Sequence, residues 1–346
     1  MIRLFKLFSI NLIWLLLLLV NVSALTNEQK LILLNKGCFS GSTIDLNFAA
    51  GQYCGASLAS ALSIVRASNA TDLLPSSSSG YAYNTYASNQ LAISPGIGLL
   101  IFEARTNQLL NSTVPATQTT GSLANATYTL WVNGSGSATM SAGTATGCGT
   151  GVATQGTPVN FTTSGAAGTC TVTVAGSLNA FQLEAGSFGT SFIVTAGATA
   201  SRAADVVRPI GIAATLADAV TSSIVSSAQT LGTATAMING TNNGAAFKSY
   251  FNNTTTINST FNGVAISATM SATQIFKAGV ASDGTGHSIV TNNGTVVSDS
   301  NVWVPQSGVN TALGSTGVSL WLNGILKRQT YFASRLSNIT LKALTQ

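Results

Sequence analysis

Tight-turn dipeptides recur through this chain and limit what it can fold into. Asn133-Gly134, Asn262-Gly263, Asp283-Gly284, Asn293-Gly294 and Asn323-Gly324 are each flanked by short stretches rich in Thr, Val, Ala, Ser and Leu. Asn and Asp followed by Gly tolerate the positive φ angles that reverse a β-ribbon, so each dipeptide marks a hairpin. The segments between them suit strands: residues 43–48, 98–102, 126–132, 137–141, 159–163, 170–174, 181–184, 264–270 and 318–322. Residues 25–37 predict a short amphipathic helix ending at Gly37, and residues 338–344 a terminal helix. The expected fold class is all-β, with tandem β-sandwich (jelly-roll) domains after an N-terminal signal segment.

Composition narrows the function. Of 346 residues, 45% are hydrophobic, enough for sizeable cores, and only 7% are charged. The surface is therefore built from Ser, Thr, Asn, Gln and Gly, as in many extracellular binding proteins. The net charge of +5 comes from scattered cations. Outside the N-terminus only Lys327-Arg328 are adjacent, so there is no basic stripe and nucleic acid is not an expected partner.

Residues 1–24 follow the secretory pattern: Arg3 and Lys6, an apolar stretch over 12–20, then Val22-Ser23-Ala24 as a small-residue cleavage site. A cleaved signal is expected over an uncleaved anchor, because Ser9, Asn11 and Asn21 interrupt the apolar run and no further apolar span occurs. The expected localisation is secreted, extracellular or on a virion. The chain divides into the signal (1–24), an N-terminal segment with a short helix and strands (25–110), a first sandwich (111–200) and a second sandwich (206–346). Residues 198–215 read as a connector.

Four cysteines, Cys38, Cys54, Cys148 and Cys170, fit export as disulfides. Four permit three connectivities, of which local pairing, Cys38 with Cys54 and Cys148 with Cys170, is the simplest. Each bridge would contribute about 3 kcal/mol by shortening the unfolded chain's loops. Zinc is excluded by the absence of a Cys-x-x-Cys pair and by His287 being the sole histidine. No cofactor is expected, and no motif supports calcium.

No catalytic residue is assigned. Glycoside hydrolysis needs two carboxylates held a short distance apart, and Glu28, Glu103, Glu184, Asp283 and Asp299 form no such cluster in sequence. His287 reads as a solvated turn residue. Glu103 and Arg105 share a strand face and are expected to pair with each other or with Arg202 and Asp205. Such an ion pair would tie two β units together. Exposed aromatics stack on sugars, and Tyr81, Tyr83 and Tyr86 are the candidate glycan-binding residues. Trp131 and Trp321 read as core, with Trp303 a further aromatic candidate.

Three stretches carry a resemblance: 46–48 and 63–71 leading to 98–110 around Glu103-Ala-Arg-Thr-Asn107; 182–192 followed by 201–205; and 322–337. In order and wording they resemble bacteriophage and prophage virion proteins with carbohydrate-binding-module-like and concanavalin A-like (LamG-type) domains. The resemblance implies a carbohydrate-binding-module-like sandwich at 111–200, a LamG-type sandwich at 206–346, and a tail or head fibre-like part contacting host-surface glycans. Its partners would be cell-surface glycans or other virion or envelope proteins, with no membrane after signal cleavage; a homotrimer is the assembly usual for fibres. The export segment and cysteines support a second reading, a secreted bacterial adhesin or envelope protein with the same modules. A secreted glycan hydrolase is the third.

Overall fold

A computed structural model describes residues 37–72, 83–231, 236–241, 247–253, 256–261, 264–269, 275–305, 311–315 and 321–346. The signal segment, residues 25–36, Tyr81 and the turn at 262–263 lie outside them. The architecture is all-β, in two sandwiches joined by a narrow ribbon.

The larger sandwich has a nine-stranded sheet among the described residues. Its main path runs Gln52–Cys54, Ile44–Asn47, Gly324–Phe332, Ser222–Thr230, Ile275–Asp283, Gly286–Thr291 and Val297–Asp299, all antiparallel. Strand Gly98–Ile101 pairs with the start of Gly324–Phe332, and Ile93–Ser94 pairs with Gly98–Ile101. The facing sheet runs Val264–Thr269, Thr256–Phe261, Phe247–Asn253, Ala236–Thr241, Thr311–Leu313, Val206–Pro209 and Leu62–Val65. Alternation places Ile44, Leu46, Ile224, Ala228, Phe276, Ala278 and Val280 between the sheets, against Leu62, Val207, Ile257 and Leu313. Intervening residues such as Asp45, Asn47, Val225 and Lys277 fall on the outer face, as period-two geometry requires. Helix Asn338–Leu344 is capped by the Ser337 side chain and lays Leu341 and Leu344 over Val225, Val290 and Phe332 on that face.

The smaller sandwich packs Val159–Thr162, Thr127–Gly134 and Leu178–Ala185 against Val152–Thr154, Ser137–Ala142, Cys170–Ala175 and Gln118–Thr119. Leu130, Met140, Phe161, Val172, Phe181 and Leu183 fill it. The chain enters and leaves it along one antiparallel ribbon, Arg105–Asn107 with Ala200–Arg202.

The small sandwich is therefore an insertion in the large one. Residues 44–101 form no unit of their own: Ile44–Asn47 lies beside the C-terminal strand, and Leu62–Val65 pairs Val206–Pro209. Long-range pairing of this kind leaves no trace in local pattern. The supposed connector at 198–215 holds two strands and the start of helix Gly211–Asp218.

Asn133-Gly134 does not close a hairpin either. Strand Thr127–Gly134 runs through both residues, and the next strand, Ser137–Ala142, belongs to the opposite sheet. Glycine serves close approach there: a Cβ on Gly134 would come within 2.6 Å of the Ser177 carbonyl oxygen. Asp283-Gly284 does turn between two paired strands. Asn323 adopts a φ of 47° as the chain enters Gly324–Phe332.

Disulfides join Cys38 to Cys54 and Cys148 to Cys170. The first ties the loop before Ile44–Asn47 to Gln52–Cys54, and the second anchors a loop of the small sandwich to Cys170–Ala175.

Candidate functional site

The ribbon between the sandwiches is held by a buried charge network. Asp205, 1% exposed, receives Arg66 Nη1 at 2.7 Å on one carboxylate oxygen and Arg202 Nη1 at 2.8 Å on the other. The Phe102 backbone N–H donates to the second oxygen at 2.9 Å. Arg66 also donates to the Ser68, Ala87 and Gln90 carbonyls, and Arg202 Nη2 to the Glu103 carbonyl at 2.6 Å. Burial pushes the Arg202 guanidinium below its usual pKa, opposed mainly by the charge of Asp205 and then by that of Glu184. Two cations on one carboxylate, each otherwise bonded to carbonyls, form the arrangement in which buried charge is tolerated.

The four charges read from sequence are thus split. Glu103 pairs with Arg105, whose guanidinium lies 5.0 Å from the Phe188 ring centre of the small sandwich. Arg202 pairs with Asp205, and the Arg202–Glu103 carbonyl bond links the two pairs. Arg66 was not singled out in the sequence, where it stands alone between Val65 and Ala67.

Glu184 is another buried charge with a full set of partners. Its carboxylate accepts from Trp131 Nε1 at 3.2 Å, Gln182 Nε2 at 2.8 Å, and the Thr190 N–H and hydroxyl at 2.7 Å each. These bonds fix the loop carrying Phe192 against Trp131, ring centres 6.3 Å apart.

That loop forms one wall of a cleft of about 370 Å³ between the sandwiches. Tyr83, partly exposed, stands edge-on at 5.4 Å and 77° to Phe192, which is itself buried at 1% exposure. The floor and opposite wall carry Asn69, Thr71, Thr85 and Ser201. Thr71 Oγ donates to the Phe192 carbonyl, and the Phe192 N–H donates to the Asp72 carbonyl at 3.1 Å, so the walls are bolted together. The Asn69 and Thr85 side chains are exposed and bond no other group among the described residues. Concavity, the Tyr83 ring and a few open polar groups suit a hydroxyl-rich ligand.

Of the tyrosines singled out in the sequence, only Tyr83 is shown in this cleft. Tyr86 is 8% exposed, its hydroxyl donating to Asp72 Oδ1 at 2.8 Å. Burial and then Asp72 raise its pKa. Pairing of Thr85–Tyr86 with Ala70–Thr71 turns the ring inward. Trp303 is 1% exposed, and Trp131 and Trp321 are partly buried.

His287 is not a solvated turn residue. Gly284 and Thr285 make the turn, and His287 follows on Gly286–Thr291, 0% exposed. Its Nδ1 lies 2.6 Å from Asp299 Oδ1 and 3.3 Å from the Asn301 carbonyl oxygen. It ties neighbouring strands of the nine-stranded sheet and is buried out of reach of a substrate. The eight described carboxylates all have partners: the three above, Asp45 with Arg328, Asp72 with Asn84 and Tyr86, Asp218 with Trp303, Asp283 with Arg335, and Asp299 with His287. Among the described residues no three His, Cys, Asp or Glu cluster as metal ligands, and no helix is long and apolar enough to cross a membrane.

Fold and site together define a two-sandwich β-protein with a polar cleft carrying Tyr83 at its neck. No protein-family model and no curated protein matches the chain. Among solved structures it is similar to the CBM40 of a Ruminococcus gnavus IT-sialidase bound to α2,6-sialyllactose, at 15% identity and a TM-score of 0.31, covering 39% of this chain and 87% of that one. The same module without a named ligand gives 18% identity and a TM-score of 0.33, covering 38% and 86%. A leech intramolecular trans-sialidase gives 14% and 0.31, covering 38% of this chain and 24% of that one. At these TM-scores the likeness assigns neither fold nor ligand to this chain.

Proposed function

We propose that this is a non-enzymatic, glycan-binding structural protein that holds a saccharide in the neck cleft. The observation that carries the reading is the partly exposed Tyr83 ring, packed edge-on against buried Phe192, beside the open Asn69 and Thr85 side chains in one concavity. The Tyr83 ring offers a stacking face, and the amide and hydroxyl offer bonds to sugar hydroxyls. The structural commitment of each described carboxylate supports a binding rather than a hydrolytic role. The two disulfides favour an oxidising compartment.

The setting we propose is a phage or prophage particle contacting host-surface glycans, supported by the sequence resemblance; a homotrimer belongs to that reading. The disulfides favour a second setting, a secreted adhesin or envelope protein. Mass spectrometry of purified virions against the envelope fraction separates them, and absence from virions ends the first. For the activity, the mature chain is applied to a glycan array and the array is then assayed for released reducing ends. Binding without release is expected; release would favour a hydrolase.

A further inference from the structure

A second cleft, of about 250 Å³, lies on the outer face of the nine-stranded sheet, away from the neck. Lys277, Lys327 and Arg328 line it with Asn47 and Ser227, beside Phe39 and Leu344. Three of the chain's 14 Lys and Arg residues therefore meet in one concavity, although they come from two strands 50 positions apart.

A β-bulge makes this convergence. Successive strand residues point to opposite faces, so adjacent Lys327 and Arg328 should be divided between core and surface. In the pairing with Ser222–Thr230, however, Ser227 faces Arg328 and Ala228 faces Leu326, which leaves Lys327 as the extra residue. Leu326 and Tyr331 keep their places in the core, and both cations turn outward. A bulge that re-aims a side chain costs a ladder position, and here it places two cations side by side.

Arg328 is fixed from behind. Asp45, 0% exposed, accepts from Nε at 2.8 Å and from Nη2, and the Gly37 carbonyl accepts from Nη2 at 3.0 Å. The Phe39 ring covers one guanidinium face at 3.6 Å. Nη1 bonds no group among the described residues, and the side chain is 18% exposed. Lys327 is half-buried and pairs with no carboxylate among the described residues; exposed Lys277 contacts only the Gln346 backbone oxygen. Among the described side chains Asp45 alone offsets one of the three charges, and the Gln346 oxygen holds the Lys277 ammonium, so the lining keeps an excess of positive charge.

We propose that this cleft is an anion-binding site for an acidic sugar, one bearing a carboxylate or a sulfate. Several acceptor oxygens on a small anion match the open Nη1 of a fixed guanidinium together with two lysine ammonium groups lining the same cleft. The Ser227 hydroxyl and the Asn47 amide complete a polar lining for the sugar ring. The volume holds about one sugar ring, and no stripe extends from it for a longer polyanion.

Titration calorimetry of the mature chain tests this with a sulfated disaccharide, a uronate disaccharide, their neutral analogue and inorganic sulfate, at low and physiological ionic strength. Binding of an acidic disaccharide should exceed that of the neutral analogue and weaken with salt. The Lys277→Gln/Lys327→Gln double variant should bind it about ten-fold or more weakly, with unchanged thermal unfolding. Lys342→Gln, on the exposed side of the terminal helix, should bind as the wild type does. Equal affinity in the double variant, equal affinity for the neutral analogue, or inorganic sulfate binding as tightly as the sulfated sugar would each overturn the proposal. The neck cleft is tested at Tyr83 with neutral saccharides, so either site can fail alone.

Discussion

Arg66 and Asp205, 139 positions apart, meet at 2.7 Å with side chains 0% and 2% exposed. Arg66 follows Leu62–Val65, and Asp205 precedes Val206–Pro209, the strand paired with it. The pair therefore sits where the inserted sandwich leaves the large one, and Arg202 binds the same carboxylate from the ribbon.

Removing one member of such a cluster strands the others in a dry site. Asp205→Asn leaves two guanidinium groups uncompensated and should cost about 3–5 kcal/mol, read by denaturant unfolding. Arg66→Met, which leaves Asp205 with Arg202, should cost less than Asp205→Asn. An Asp205→Asn protein as stable as the wild type would remove the network from any role at the neck.

The Cys148–Cys170 bridge closes a loop over a sequence separation of 22. Its loss in the Cys148→Ala/Cys170→Ala variant should destabilise the small sandwich by about 3 kcal/mol. Unfolding followed by a probe on each sandwich should show the shift in the small one.

The single histidine permits a clean pH experiment. Burial lowers the His287 pKa below its usual 6.5, with Asp299 opposing. The unfolded chain then binds the proton more readily than the folded one, so stability rises with pH across that interval. The contribution is complete above about pH 6.5 and is lost as pH falls from there through the depressed folded value. His287→Gln should flatten this part of the profile measured by thermal unfolding between pH 5 and 8.

Asp283 behaves in the opposite range. Its pKa is held down to about 2, first by the Thr285 hydroxyl, then by Arg335 and the Thr285 N–H. Its stabilisation is present above the ordinary value of 3.8 and is lost between 3.8 and about 2. Thr285→Val should raise this carboxylate's titration midpoint, measured by NMR.

Local pattern made the strands legible and left their partners hidden. Alternation at 43–48 and 170–174 marks strands because inward positions must be apolar, and both form. Nothing local states that Ile44–Asn47 lies against the C-terminal strand, since pairing depends on both sheets closing a common core. Asn133-Gly134 misleads because glycine also serves where backbones cross closely. In the site, Tyr83 was legible as an aromatic in a polar stretch. Phe192 is a core residue, 1% exposed, whose place against Tyr83 and Trp131 depends on the loop that Glu184 fixes. Tyr86 was read as exposed, because its acceptor Asp72 lies 14 positions away. Lys327-Arg328 was noted as a pair, and the bulge that aims both outward depends on register.

The central claim is that the neck cleft binds a saccharide against Tyr83. Its most direct test is calorimetric titration of the mature chain with the strongest neutral hit from the array, comparing wild type with Tyr83→Ala and Asn69→Ala. Both variants should bind about ten-fold or more weakly, with unfolding midpoints close to the wild type. Affinity unchanged in both variants would contradict the account.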